Sequence, residues 1–338
     1  MRVRLEDVAR AAGVSPKTAS RVLNDEANVS EATRERVRAA MEALDYRPLP
    51  SARSLAGSRS FLVAMLYDNN ENPASTYLAE IQDGVLEACD AQRYSMMVRP
   101  LRARGSDFLR RVDALISDHH PDGVVLTPPI TDYAPLLKRL RERKVPYASV
   151  SPVRQEGAIG VTMDERAAAR ALVEHLLGLG HRRIAHVVGI PEHGASQWRL
   201  AGYRDALAAA GLREDPALVV QGAFTFGSGV AAARQLLALP ERPTAVFAAN
   251  DDMAAGVIWV AGGEYGLKVP AELSVCGFDD IPLASQLWPA LTTVRQPSRE
   301  MGKLAAAQLL EVLRGRGPGR LVQVPFALQL RDSTGPAP

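Results

Sequence analysis

Near the N-terminus, apolar side chains return at helical spacing. Leu5, Val8, Ala9 and Ala12 occupy i, i+3, i+4 and i+7, the stripe of a short amphipathic helix. Gly13 follows, where a helix end favours a residue free to take positive φ. Ser15 then offers an N-cap oxygen, and Pro16 suits the first position of a second helix. Ala19, Val22 and Leu23 form the inward face of that helix and leave Lys17, Thr18, Ser20 and Arg21 outward. Ser30 caps a third helix whose stripe is Val37, Ala40, Met41 and Leu44. Two helices joined by so short a turn cross at a large angle, which makes the start of the chain an all-α helix-turn-helix module.

From Phe61 onward the pattern changes. Short apolar runs predict strands at Phe61–Tyr67, Tyr94–Val98, Gly123–Leu126, Tyr147–Val150, Ala158–Thr162 and Ile184–Val188. Others follow at Leu218–Val220, Ala245–Ala248, Ser274–Phe278 and Leu291–Val294, with a last one near Val322–Leu330. Helical patterns such as Tyr77–Ala91, Glu165–Leu179 and Gln197–Ala210 lie between them. Alternating β and α implies parallel sheets covered on both faces. The length suits two doubly wound lobes with a cleft between them, and ligands of such folds sit at the carboxyl ends of the strands.

Composition adds limits. The 338 residues suggest two or three domains. An apolar content of 47% against 23% charged residues is ordinary for globular chains with a sizeable core. The start Met-Arg-Val-Arg-Leu-Glu-Asp has charges where a signal peptide needs an apolar run, and no stretch has the length of a membrane span. Cys89 and Cys276, the only cysteines, each fall inside an apolar element, so buried thiols in a reducing cytoplasm are expected. The net charge of +2 hides an asymmetry: residues 1–59 carry +3 and the remainder −1. That excess is a weak pointer to nucleic acid at the N-terminus.

The run Leu5-Glu-Asp-Val-Ala-Arg-Ala-Ala-Gly-Val-Ser-Pro-Lys-Thr-Ala-Ser-Arg-Val-Leu-Asn24 closely resembles the headpiece of the lactose-repressor (LacI/GalR) family. So do Val29-Ser-Glu-Ala-Thr-Arg-Glu-Arg-Val and Ala43-Leu-Asp-Tyr-Arg-Pro48. The resemblance implies that the second helix enters a DNA major groove and that Pro16, Lys17 and Arg21 read bases. Lys17 and Arg21 can donate to guanine O6 and N7, whereas Pro16 offers apolar contact alone. Ser15, Thr18, Ser20, Asn24, Ser30 and Thr33 match positions that hold phosphates and set register. Pro50-Ser-Ala-Arg-Ser-Leu-Ala-Gly57 resembles the family's hinge helix, too short to be stable alone. Two hinges would fold together on operator DNA, Ala52 permitting their approach and Leu55 wedging between base steps in the minor groove. Leu49 departs from the polar residue common there.

The body resembles the periplasmic-binding-protein-like (type I) core of the same family, through Leu179-Gly-His-Arg-Arg-Ile184, Arg199-Leu-Ala-Gly-Tyr203, Ala249-Asn-Asp251, Gly277-Phe-Asp-Asp280 and Leu291-Thr-Thr-Val-Arg-Gln-Pro297. The expected organisation is a headpiece at 1–48, a hinge at 49–59 and an α/β two-lobed core at 60–338, with lobes of about 60–160 plus 294–322 and 161–293 plus 323–331. The resemblance carries effector contacts onto Arg199, Asn250, Asp279, Phe224 and Gln296. The strand-end positions add Tyr67 and Asp68, with Tyr77 a weaker candidate. Ser151 stands where sugar-responsive relatives often have aspartate, which argues against galactoside-like specificity.

Other chemistries find less support. Asp251/Asp252 and Asp279/Asp280 read as helix starts or turns rather than an acid–base or metal pair. His175, His181 and His186 cannot share one helical face and have no cysteine nearby. Gly227-Ser-Gly229 and Leu177-Gly-Leu-Gly180 complete neither a nucleophile elbow nor a dinucleotide fingerprint. No catalytic residue, metal or cofactor is expected, and a secreted solute-binding protein or a sugar-active enzyme is disfavoured. The family resemblance implies a cytoplasmic homodimeric repressor released from a palindromic operator by a sugar or sugar derivative; the alternative is a corepressor-type regulator whose nucleobase or metabolite strengthens DNA binding. After the last strand no heptad pattern follows, so a dimer is expected rather than a tetramer.

Overall fold

A computed structural model describes residues 3–23, 28–46, 59–68, 76–102, 105–155 and 157–338. The chain divides into two units, residues 1–62 with 120–122, and residues 63–119 with 123–338. In the first, helices α1 (Leu5–Ala11), α2 (Pro16–Leu23) and α3 (Glu31–Ala43) enclose one small core of Val8, Ala9, Ala12, Ala19, Val22, Val37 and Ala40. The local signals act as the pattern predicts. Gly13 takes φ +62° after α1. Ser15 Oγ accepts the Thr18 N–H at 3.1 Å, and Ser30 Oγ accepts the Thr33 N–H at 3.4 Å. Within the same unit the Asp122 carboxylate accepts from the Ser60 N–H at 2.7 Å and the Phe61 N–H at 3.0 Å, which fixes the chain just past residue 58.

The second unit holds two sheets. The first contains β1 (Leu62–Asp68), β2 (Ser95–Leu101), β3 (Gly123–Leu126), β4 (Tyr147–Val150), β5 (Gly160–Met163) and β11 (Leu321–Val324) in the order β11-β5-β4-β3-β1-β2. The second contains β6 (Ile184–Val188), β7 (Val219–Gln221), β8 (Ala245–Ala248) and β9 (Ser274–Cys276) in the order β7-β6-β8-β9, all parallel. Strands β3, β4, β6 and β8 have the bounds their apolar runs predict. β3, β6 and β8 are buried at every residue, as strands covered on both faces must be.

Helices α4 (Thr76–Ala91), α5 (Phe108–His119), α6 (Ala134–Glu142) and α12 (Ser298–Leu313) belong to the first lobe. Helices α7 (Glu165–Gly178), α8 (Gly194–Ala209), α9 (Phe226–Leu237), α10 (Asp251–Gly263) and α11 (Pro282–Gln286) belong to the second. A short antiparallel ribbon, β10 (Thr293–Arg295) with β12 (Ala327–Gln329), lies where the chain crosses between lobes.

Two boundaries differ from the pattern. β5 pairs with β11 along its whole length, so the first crossing falls after Met163 rather than at 160, and the third after Val324 rather than at 322. The single strand expected at Val322–Leu330 is two strands in different sheets. Pro325, with no N–H to give a ladder, separates them.

The first lobe's tightest helix pair, α4 and α12, meets through Gly84 and Gly302. A Cβ on Gly84 would run into the Arg299 carbonyl oxygen, and one on Gly302 into that of Ile81. Both obstacles are backbone and cannot swing aside. Gly84→Ala should therefore lower stability by about 1–3 kcal/mol, because overpacking outweighs alanine's better helix propensity. Urea unfolding checks this; a gain in stability would mean that the helices do not approach so closely.

Candidate functional site

The headpiece presents its outward face as the α2 pattern predicts. Ser15, Pro16, Lys17 and Ser30 are exposed, and Thr18, Ser20, Arg21 and Thr33 are half-buried. Two of the hydroxyls, of Ser15 and Ser30, also work as caps, and each lies 2.9 Å from a threonine hydroxyl: Ser15 from Thr18, and Ser30 from Thr33. Within each pair one O–H donates to the other, which leaves one donor per pair for a phosphate oxygen. Asn24, Ala52 and Leu55, together with Leu49, lie outside the described residues.

In the body, Tyr67, Asp68, Ser151, Arg199, Phe224, Asn250, Asp279 and Gln296 all line one cavity of about 430 Å³ at the strands' carboxyl ends. Tyr77, at the start of α4, lines it too. Burial, with Glu165 and Asp279 adding to it, holds the Tyr77 phenol protonated far above the usual range.

Arg199, on α8, is 3% exposed and is the cavity's centre of charge. Its Nε and Nη2 each lie 2.9 Å from Glu165 Oε2. Nη1 donates to the Ala249 carbonyl and lies 3.5 Å from Asp279 Oδ1. The guanidinium carbon stacks 3.7 Å from the Phe278 ring centroid. Asp279 accepts from Gln296 Nε2 at 2.6 Å. Burial pushes Asp279 up to about 7, against the pull of Arg199 and the Gln296 hydrogen bond.

Asn250 is the N-cap of α10: its Oδ1 accepts the Met253 N–H at 3.0 Å and its Nδ2 donates to the Phe224 carbonyl at 3.1 Å. It braces Phe224, whose ring lies over Gly189, where a Cβ would occupy the ring's space. The adjacent carboxylates divide their work. Asp251 is fully buried and accepts from Thr293 Oγ1 at 2.6 Å and the Ile281 N–H at 2.9 Å. Asp280 accepts from Arg295 Nε at 2.7 Å and from Arg331.

Ser151, Phe224 and Asp279 have φ of +46°, +58° and +112°. Each costs about 1–3 kcal/mol for a residue with a side chain, and such conformations gather where function holds them. Sequence reasoning did not single out Glu165, Asp132, Tyr133 or His193, which also line the cavity. Glu165 stands two residues past the end of β5, behind the N-cap Asp164, where the strand-end signal that flags Asp68 does not reach.

The three histidines tested for zinc have separate partners. His175 Nε2 meets Thr334, and His181 meets Thr244 and Ser274. His186 bonds the Phe247 carbonyl at 2.9 Å and stacks between Tyr203 and Phe247. Both cysteines are buried. Among the described residues no helix is long and apolar enough to cross a membrane.

Comparison with known proteins matches residues 4–49 to the bacterial regulatory proteins of the lacI family, and residues 173–334 to the periplasmic binding protein-like domain. The ribose operon repressor of Escherichia coli (strain K12) is 36% identical over 90% of this chain and 92% of its own length. The chain belongs to the LacI family. Among solved structures, the lac repressor dimer bound to operator and the anti-inducer ONPF superposes with a TM-score of 0.82 at 30% identity, over 99% of this chain and 100% of that one. A transcriptional regulator CelR–cellobiose complex gives 0.76 at 34% identity, over 98% and 100%. This LacI-family chain is therefore a ligand-responsive DNA-binding regulator of transcription, built as a helix-turn-helix headpiece and a two-lobed α/β core.

The buried imidazole of this LacI-family core makes a pH prediction. Burial lowers His186 to about 4 from an ordinary value near 6.5. Below pH 6.5 the unfolded chain binds a proton that the folded chain refuses, so this contribution is complete above 6.5 and is lost as pH falls towards 4. Relative to His186→Phe, the native chain should lose roughly 1 kcal/mol per pH unit across that interval. Chemical unfolding at pH 7, 6, 5 and 4 checks it; parallel stability curves for the two proteins would refute the assignment.

Proposed function

We propose that this protein is a homodimeric repressor that holds a palindromic operator and releases it when a carbohydrate enters the cleft. The observation that carries the reading is the convergence of residues from both lobes on one cavity that pairs aromatic faces with hydrogen-bonding side chains. Phe224 offers a flat apolar face for a sugar ring, and Asp279, Gln296 and Ser151 offer polar atoms at its edge. In the headpiece, Lys17 and Arg21 read bases, Pro16 adds apolar contact, and Ser15, Thr18, Ser20, Ser30 and Thr33 hold phosphates. Asn24, Ala52 and Leu55 keep the roles that the family pattern gives them. The cleft is a binding site rather than a catalytic one, since the Glu165 carboxylate is engaged by Arg199 and Asp279 by both Arg199 and Gln296.

The carbohydrate class draws support from relatives. One is described as a ribose operon repressor, and another was solved as a complex with cellobiose. A ligand shifts the DNA-binding equilibrium only through its differential affinity for the two states. The reading therefore requires the sugar to prefer the state that does not hold operator.

Footprinting on the DNA upstream of the protein's own coding region should show two symmetric half-sites, and a sugar from a broad panel should abolish the protection. Phe224→Ala should keep the footprint and need at least about tenfold more sugar for release, as expected for loss of a stacking face. Protection without symmetry would count against the dimer, and protection strengthened by the ligand would favour a corepressor.

A further inference from the structure

The polar groups of the cleft run strongly to one sign. Among the described residues it is lined by five carboxyl groups, Asp68, Asp132, Glu165, Glu192 and Asp279, of which burial raises Asp132 and lifts Asp279 to about 7, against one guanidinium, Arg199. That guanidinium is already engaged: Glu165 takes Nε and Nη2, while Nη1 serves the Ala249 carbonyl and Asp279. His193 adds no cation, because burial lowers it to about 3.

Helix N-termini are the other common seat for an anion. At two of those that border the cleft the chain supplies its own negative groups, whereas α8, whose N-cap His193 lines the cavity, has no acid in its first turn. Asp164 caps α7 with Glu165 in its first turn, and Asn250 caps α10 with Asp251 and Asp252 following.

One further observation points to what the site needs. Gln296, which lines the cavity, is 4% exposed, and its buried Oε1 has no hydrogen-bond partner. Its Nε2 is already given to Asp279. Gln296 Oε1 can only accept and so needs a donor, which a hydroxyl supplies and a phosphate or carboxylate oxygen does not, while the equally unpartnered Ser151 Oγ and His193 Nδ1 can act either way. An anion entering here would lose its hydration and face like charges, a juxtaposition that costs several kcal/mol.

We infer that the cleft selects an uncharged, hydroxyl-rich ligand and excludes its phosphorylated and carboxylate counterparts, with Glu165 as the residue that withholds Arg199 from anions. The inference takes the carbohydrate class from the reading above, whereas the exclusion of anions rests on the cleft's own charges.

The test uses the full-length chain and matched pairs: glucose with glucose 6-phosphate, galactose with galacturonate, and cellobiose with cellobionate, followed by calorimetry and thermal unfolding. The neutral member that binds should do so at least about a hundredfold more tightly than its anionic counterpart. In Glu165→Gln that gap should narrow, with galacturonate or the sugar phosphate gaining affinity. An anionic member binding the native chain as tightly as the neutral one overturns the inference and leaves the carbohydrate reading intact. Uncharged nucleobases binding where no sugar does overturns the carbohydrate reading and upholds the exclusion of anions. If neither a neutral sugar nor a nucleobase binds, the carbohydrate reading falls, and the anions decide the charge rule: binding to Glu165→Gln alone supports it, and any other pattern overturns it. Should Glu165→Gln fail to fold, the matched pairs on the native chain still decide.

Discussion

A guanidinium buried to 3% exposure cannot stand without compensation, and much of the second lobe is arranged around that requirement at Arg199. Removing one partner of such a buried pair costs about 3–5 kcal/mol, since the other charge is left stranded. Glu165 supplies the main counter-charge. It can do so because α7 begins directly after the first crossing, with Asp164 as cap and Glu165 next. The Ala249 carbonyl can receive Nη1 because β8 ends there, and Asn250 turns the chain into α10. Phe278 places its face under the cation, and Asp279 follows it to the cavity wall. The ends of β8 and β9 and the start of α7 thus meet at one charge.

The strained backbone fits the same picture. Asp279 reaches the cavity at φ +112°, and the crossing strand holds it there: its N–H donates to the Val294 carbonyl at 2.9 Å. Its neighbour Asp280 is tied to Arg295 and Arg331, and Asp251 is tied to Thr293. Three carboxylates from the second lobe therefore fasten the crossing segments beside the cavity. The strain is borne where those ties over-determine the backbone, which is the condition under which it persists.

Much of this was legible in the sequence. Short, mainly apolar runs marked β3, β4, β6 and β8 to the residue, because strands covered on both faces leave little choice of side. Gly13 and Ser15 marked the turn between α1 and α2 because each does a job few residues can. All eight residues expected to contact an effector line one cavity, since the carboxyl end of a parallel strand is a place that sequence can locate. What stayed hidden depended on tertiary partners. Glu165 looks like any acid in a helix's first turn until Arg199, far along the chain, is seen against it. Ser151, Phe224 and Asp279 carry no glycine to announce a positive φ. Asn250 reads as a ligand contact, yet its amide is occupied in capping α10 and bracing Phe224.

The division of labour between Asp279 and Asp280 connects the site to the rest of the core. Adjacent residues on an extended strand would point to opposite faces; here both depart from that conformation, with φ of +112° and +57°. One carboxylate faces the cavity and Arg199, and the other lies buried between two arginines of the crossing segments. A ligand that draws on Asp279 therefore pulls on a backbone whose next side chain is fixed to the ribbon between the lobes. Gln296 gives the same coupling from the other side, since it bonds Asp279 and belongs to the segment that leads from β10 into α12. A change of hydrogen bonding at the cavity edge and a change in lobe angle then draw on the same few bonds. That is the physical condition for a ligand to favour one arrangement of the lobes over another.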